Sequence, residues 1–343
     1  MTELRGPTSS PRLTIRDVAE RAGVSRAAVS LAFNNKPGVS ESTRAHILAV
    51  AGELGWRPGR SSRSPARRGT GTVGLAICRP ARQLGLEPFY MEFISGIESV
   101  LTERSSALLL RLVRDMGEEV DLQRHWWRSG QIAGSVLVDL RRNDPRIPAL
   151  AELGMPVVAV GHPSLAGPFT ALWTDDGTAV IECVRYLAAL GHRSIARVGG
   201  SVELGHSAIR AAAFTSTVAE LGLDEGRQAA TDFSGEEGAR ATRSLLASAR
   251  RPTAILYDND LMAVAGLSVA AEMGLRVPED VSLLAWDDSQ LCQLTRPTLS
   301  AMSHDVHAFG AEVARALYGV LGGEKTAARR MPTPALTPRA STG

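Results

Sequence analysis

Residues 13–58 read LTIRDVAERAGVSRAAVSLAFNNKPGVSESTRAHILAVAGELGWRP. Thr14 and Asp17 stand at the spacing of a capping box, and Val18, Ala19 and Ala22 then make one apolar stripe, so a helix opens at Thr14. Gly23 supplies the turn, where a positive φ costs glycine little. Ser25 caps a second helix, Arg26 to Phe33, with Val29, Ala32 and Phe33 as its apolar face. Ser40 caps a third helix running to about Leu54, with Ile47, Leu48, Ala51 and Leu54 facing inward. Two short helices joined by a glycine turn, followed by a third, make a helix-turn-helix. Near the start of the second helix, Arg26, Ala27, Ser30 and Leu31 lie toward the other face, the end of a recognition helix that enters the major groove. Arg26 can donate two hydrogen bonds to guanine O6 and N7, and Ala27 can meet a thymine methyl. The free N–H groups of the first turn suit a phosphate.

Charge is distributed to match. Residues 1–71 hold twelve Lys and Arg against five acids, a balance of +7, so the remainder carries −5 of the chain's formal +2. A basic head on an acidic body is the footprint of a head that touches a polyanion. The whole chain has 343 residues, of which 44% are hydrophobic and 22% charged, which excludes wholesale disorder and provides for two to three compact units. No run reaches the length of a membrane span, and Met1 to Pro11 lacks the apolar stretch of an export signal, so a cytoplasmic protein is expected. Cys78, Cys183 and Cys292 are far apart and without zinc-ligand spacing; they read as three buried thiols.

Residues 1–12 form a leader rich in Thr, Ser and Pro. The composition shifts again over WRPGRSSRSPARRGTG, which has five Arg and no acid, marking 59–71 as a linker. From residue 72 onward short apolar runs alternate with helical patterns. The runs are VGLAI (73–77), ALLLRLV (107–113), SVLV (135–138), PVVAV (156–160), ARVGG (196–200), AILY (254–257) and SLLAW (282–286). Such alternation implies mainly parallel sheets covered on both faces, and the number of units favours two lobes over one. Gly69, Gly71 and Gly74 spell GxGxxG, but they run from an Arg-rich linker into a strand, the wrong context for a dinucleotide site.

On these residues the head resembles the headpiece of the LacI/GalR family of bacterial transcription regulators, through DVAxxAGVSxxxVS and VSxxTRxxIxxxAxxLGWxP. The resemblance implies dimeric binding to a palindromic operator. It implies that Arg26, Ala27 and Leu31 read bases, while Thr14, Ser25, Ser30 and Asn34 hold phosphates. Leu31 departs from the Arg common at its position. In the family a hinge helix follows and presses a Leu into the minor groove; here the aligned residue is Pro65. Two readings stand: Pro65 is itself an apolar wedge, or Ser64 caps and Pro65 starts a shifted helix. Arg60, Arg63, Arg67 and Arg68 contact phosphate or the minor groove in either case.

The body, 72–343, is similar to the same family's core, which is like periplasmic sugar-binding proteins. The resemblance rests on TDDGTAV (174–180), YLAALGHRSIARVGG (186–200), DNDLMAVAG (258–266), GLRVPEDVSLLAWDD (274–288), RPTLSAMSHD (296–305) and LTPRAST (336–342). The implied whole is an all-α helix-turn-helix headpiece joined to an α/β core of two lobes. One lobe spans about 72–165 and 301–330, the other about 170–298 and 331–343, with crossings near 161–173, 295–302 and 328–334. Ligand then sits in the cleft, at the carboxyl ends of the strands. By motif its contacts are Arg210, Asn259 and Asp287, with Phe233 as the covering aromatic and His162 as a further candidate at the crossover GHPS. Asp258, Asp260 and Asp288 read either as ligand contacts or as helix caps and lobe-interface bonds. Trp173 and Trp286 read either as cleft lining or as core. His304 and His307 are three apart on a helical stretch with no third ligand, so no metal site and no cofactor are expected.

The expected function is a DNA-binding regulator, a homodimer whose operator affinity is set by a small, sugar-like effector. Two rival classes remain: a carbohydrate hydrolase using two acids such as Asp258 and Asp287, and a transport-type binding protein. The first lacks a nucleophile motif such as GxSxG; the second lacks an export signal.

Overall fold

A computed structural model of the chain describes residues 14–33, 36–54, 71–224, 226–324 and 327–342. It divides into two compact units, Met1–Arg68 and Gly69–Gly343. The first unit contains α1 (Ile15–Ala22), α2 (Arg26–Phe33) and α3 (Glu41–Glu53). The Asp17 carboxylate accepts hydrogen bonds from the Thr14 N–H (2.6 Å) and hydroxyl (2.7 Å), which hold it below the usual carboxylate range. Gly23 ends α1 at φ +65°. Ser25 and Ser40 accept from Ala28 N and Thr43 N and so cap α2 and α3. The core is Val18, Ala19, Ala22, Val29, Ala32, Ile47, Val50 and Ala51. Leu48, expected inside, is 44% exposed, and Val50 takes the inward place. Ile47, Val50, Ala51 and Leu54 follow the i, i+3, i+4, i+7 stripe, and Leu48 sits a helical step off it.

The second unit is built on two six-stranded sheets. The first lobe runs through β1 (Thr72–Ile77), α4 (Ala81–Leu84), α5 (Pro88–Glu103), β2 (Ala107–Leu112), α6 (Met116–Arg128), β3 (Gly134–Leu137), α7 (Arg146–Glu152), β4 (Val157–Val160) and β5 (Thr170–Trp173). The second follows with α8 (Asp176–Ala189), β6 (Ile195–Gly200), α9 (Gly205–Glu220), β7 (Arg227–Thr231), α10 (Gly235–Leu246), β8 (Ala254–Tyr257), α11 (Asp260–Glu272), β9 (Ser282–Trp286), α12 (Gln290–Leu294) and β10 (Ser300–Ser303). The chain returns to the first lobe with α13 (Val306–Leu321) and β11 (Arg329–Arg330), then crosses again to β12 (Ala335–Thr337). The orders are β11-β5-β4-β3-β1-β2, all parallel, and β12-β10-β9-β8-β6-β7, parallel except at β12.

Two lobe boundaries differ from the sequence expectation. Residues 170–173 pair with β4 in the first sheet, so the first crossing follows Trp173 rather than spanning 161–173. Residues 300–303 pair with β9 in the second sheet, so the second crossing lies at 304–305 rather than within 295–302. Neither strand is among the apolar runs read from the sequence, and only the sheet pairing places them. The strands β7, β10, β11 and β12 were likewise not visible as apolar runs. Cys183 and Cys292 are buried as expected, but Cys78 is half-buried. No described helix is long and apolar enough to cross a membrane.

Glycine fixes the pairing of α5 with α13. A Cβ at Gly96 on α5 would lie 2.0 Å from the His307 carbonyl oxygen, and one at Gly310 on α13 would lie 2.2 Å from that of Phe93. Each helix thus seats its backbone against the other through a residue without a side chain, and α13, though last in sequence, is locked into the first lobe.

Candidate functional site: a helix face and an interlobe cleft

On α2 the buried positions are Val29 and Ala32, which turns Arg26, Ala27 and Ser30 to the exposed face; Ser25 and Thr14 are exposed as well. Leu31 is half-buried, with its Cδ1 beside Gly38. A contribution not read from the sequence comes from Arg44 on α3. Its guanidinium donates to Ala32 O (3.0 Å) and Lys36 O (2.9 Å), closing the carbonyl end of α2 and fixing the helix against the unit. Asn34, Arg60, Arg63, Pro65, Arg67 and Arg68 lie outside the described residues.

Between the two lobes of the second unit lies a cavity of about 440 Å³. The carboxyl ends of both sheets open onto it: Arg79 beyond β1, Asp139 beyond β3, His162 beyond β4, Phe233 beyond β7, Asn259 beyond β8 and Asp287 beyond β9. All five residues expected to contact a ligand, His162, Arg210, Phe233, Asn259 and Asp287, line it.

Their partners differ. Arg210 is buried; its Nε donates to Asp176 Oδ2 (3.0 Å), its Nη1 to Asp258 O (3.1 Å), and its guanidinium carbon sits 3.8 Å from the centre of the Trp286 ring. Trp286 is therefore core that backs Arg210, whereas Trp173 lines the cavity, edge-on to His162 at 4.7 Å. Asp287 Oδ1 is hydrogen-bonded to His304 Nε2 at 2.9 Å. His304 precedes α13 rather than lying on it, at the second crossing. Asn259 spends its amide on the fold: Oδ1 accepts from Met262 N, capping α11, and Nδ2 donates to Phe233 O (3.0 Å). That bond holds the Phe233 backbone, whose φ is +70°. Asp139 (φ +52°) and Asp287 (φ +60°) also sit in the left-handed region and line the cavity, so backbone strain concentrates at the cleft.

Asp258 is structural. Its carboxylate is fully buried in a two-pronged pair with Arg197, with Nε to Oδ1 at 2.8 Å. Asp288 pairs with Arg339 and accepts from Ser303. Both acids are therefore engaged in bonds inside the second lobe, neither capping a helix nor joining the lobes as the alternative reading expected. Sequence reading missed several lining groups. Arg79 pairs with Asp139 (3.2 Å), places its guanidinium 5.1 Å from the Phe233 ring centre, and leaves its Nε without a partner. The Tyr90 hydroxyl donates to Asp139 Oδ2 (2.8 Å). Arg79 and Tyr90 hold Asp139 below the usual carboxylate range against the cost of its burial. His206 is lowered by burial and by Arg210, which keeps its imidazole neutral near pH 7. The lobes also meet directly: Gly205 N donates to Leu140 O (2.7 Å) and Arg141 pairs with Glu203 (2.7 Å).

A helix-turn-helix unit carried on one chain with a two-lobed, ligand-sized cleft defines a DNA-binding regulator. Residues 14–59 match the bacterial regulatory proteins of the lacI family, and residues 184–342 match the periplasmic-binding-protein-like domain. The chain is 31% identical over 320 residues to the HTH-type transcriptional regulator CelR of Thermobifida fusca, covering 92% of this chain and 94% of that one. Among solved structures, a LacI family regulator from Bifidobacterium animalis subsp. lactis superposes with a TM-score of 0.73 at 39% identity, over 80% of this chain and 98% of that one. The complex of the regulator CelR with cellobiose superposes with a TM-score of 0.73 at 29% identity, over 96% and 100%. The protein belongs to the LacI family of bacterial transcriptional regulators.

Proposed function

We propose that the chain acts as a cytoplasmic homodimer on a palindromic operator and that a small, sugar-like effector in the interlobe cleft sets its operator affinity. On the DNA side, Arg26, Ala27 and Leu31 read bases, and Thr14, Ser25, Ser30 and Asn34 hold phosphates. Arg60, Arg63, Pro65 and Arg67 engage the minor groove at the operator centre. The exposure of Arg26, Ala27 and Ser30 on one face of α2 supports this assignment. On the effector side, Arg210, Asp287, His162 and Phe233 contact the ligand, while Asn259 acts by holding Phe233 in place. The observation that carries the reading is the cavity itself. Polar groups from the carboxyl ends of both sheets converge on it beside aromatic faces, the chemistry of a binding site for a ring with hydroxyl groups.

The cleft binds without turnover. Of the example pair Asp258 and Asp287, Asp258 is tied to Arg197 and buried, so it cannot deliver or accept a proton at a substrate bond. An effector shifts operator affinity only through its differential affinity for two lobe arrangements. The test is a duplex selected by the full-length protein from a random pool, titrated by fluorescence anisotropy with and without cellobiose and related sugars. A change in operator affinity on addition of a sugar, with the sugar recovered intact, is expected. Release of a cleaved product would overturn the reading.

A further inference from the structure

Residues 139–141 leave β3 and carry two direct contacts with the second lobe. Leu140 O accepts from Gly205 N (2.7 Å), and Arg141 meets Leu204 in an antiparallel bridge while its guanidinium pairs with Glu203. The backbone here is strained: Asp139 (φ +52°) and Asn143 (φ +56°) both sit in the left-handed region. Such a conformation persists only where its surroundings over-determine it. On the cleft side, Arg79 and Tyr90 hold the Asp139 carboxylate. On the other side, one guanidinium holds the backbone. Arg146, at the start of α7, donates from Nη2 to Asp139 O (2.9 Å) and from Nε to Asp144 Oδ1 (2.9 Å). Asp144 Oδ2 in turn accepts from Arg141 N (3.1 Å). The third nitrogen, Nη1, donates to Glu119 Oε2 on α6 (2.8 Å).

Stability does not account for this triad. The side chains of Arg146, Glu119 and Asp144 are 3%, 0% and 0% exposed, and removing three charges from water offsets what their pairing returns. The packing around them is not fully paired either. Glu119 Oε1 and both amide atoms of Gln123, one turn further along α6, have no hydrogen-bond partner among the described residues. Burial pushes Glu119 up to about 7 against the pull of Arg146. Apolar side chains of like volume often fill such a space as stably. What apolar side chains cannot do is hold a carbonyl, a carboxylate and a second helix from one planar group.

Resting on the reading above that the lobe arrangement sets operator affinity, we propose that Arg146 is a positioning residue whose forked guanidinium fixes the course of residues 139–141 and thereby the contact between the lobes. The fork ties the point where the chain leaves β3 to α6 on one side and to the start of α7 on the other. Without it, Leu140 O and Arg141 N lose their fixed places, and the contacts with Gly205 and Glu203 loosen with them. Gly205 reports on that contact directly. It opens α9, where the first N–H groups have no acceptor within the helix, and its N–H is tied to Leu140 O across the lobe junction. That amide therefore exchanges with solvent when the lobes part.

The test is amide hydrogen exchange of the full-length protein, resolved to single residues by fragmentation, in two variants. Arg146→Lys keeps a charge between the two acids and replaces the fork by one nitrogen. The double variant Glu119→Met/Arg146→Met removes the pair together and leaves Asp144 its bonds from Arg141 N and Arg146 N, which guards against loss of folding. Exchange at Gly205 is expected to rise tenfold or more in both, and by more than any rise within β3 and β4. Unchanged exchange at Gly205 in Arg146→Lys, or a rise there matched by an equal rise through β3 and β4, would overturn the proposal, because the triad then only supports the first lobe. The operator titration separates the two readings. If Gly205 exchange rises while operator affinity stays at the parent's value, the effector reading fails and the positioning role stands. If cellobiose or a related sugar shifts operator affinity but neither variant moves Gly205 exchange, the effector reading stands and this proposal fails.

Discussion

At the scale of the residue, chemistry of one type serves different ends according to its partners. Asp258 and Asp287 follow successive strands and read alike in sequence, yet Arg197 encloses the first and the second faces the cavity beside His304. Replacing Asp258 with Ala strands a buried guanidinium and is expected to cost about 3–5 kcal/mol, read by urea unfolding. Asp287→Ala is expected to abolish the effector response and leave operator affinity close to the parent's, with some loss of stability because it removes the bond to His304 and puts Ala at φ +60°. On α2, Arg26→Ala is expected to cost about 1–3 kcal/mol at one base position and to relax specificity there. Binding measured over a set of single-base operator variants checks this; a uniform loss across them would assign Arg26 to phosphate instead. Motif spacing made Arg26 and Asp287 legible. Arg44, Arg79 and Arg197 were not, because nothing local marks which of 36 arginines meets a carbonyl, an acid or solvent.

Among the elements, α1 to α3 were legible almost to the residue. Their caps and turn are local hydrogen bonds made by Thr14, Asp17, Gly23, Ser25 and Ser40, and their apolar stripes repeat within a few turns. The strands that read as apolar runs, the four-residue β3, β4 and β8 among them, showed for the same reason. Strands β5 and β10 did not show, and only their pairing with β4 and β9 places them in a sheet. Nor did the pairing of α5 with α13, elements some two hundred residues apart in the chain. The reciprocal glycines at that contact give a direct check. A methyl at Gly96 meets a backbone carbonyl rather than a flexible side chain, so Gly96→Ala is expected to destabilise the core by about 1–3 kcal/mol or more. An unchanged melting temperature would mean the helices separate more easily than the contact implies.

For the molecule as a whole, closing two lobes over a cleft brings acids of one lobe toward acids of the other, and the free protein bears that repulsion. Glu87 is raised to about 7 when folded, chiefly by burial, against an ordinary value of 4.5. The folded form therefore holds this proton more tightly than the unfolded chain does. Stability from this group is highest below about pH 4.5, falls as pH rises toward 7, and is level above. Glu87→Gln removes the titration. Its melting temperature, relative to the parent's in the absence of sugar, is expected to climb between pH 5 and pH 8. A difference that is flat with pH would show that Glu87 ionises freely in the fold.

The order of residues alone made legible the headpiece, the alternation that makes two α/β lobes, and Arg210, Phe233, Asn259, Asp287 and His162 as lining of a cleft. These follow from contacts a few residues long or from motifs carried intact along the chain. Folding in three dimensions set where the chain crosses between lobes, bound Asp258 within the fold, and brought Glu87 and Asp260 to one cavity from opposite sides. Such facts depend on which distant strands become neighbours, and burial and unpaired charge exist only once they have.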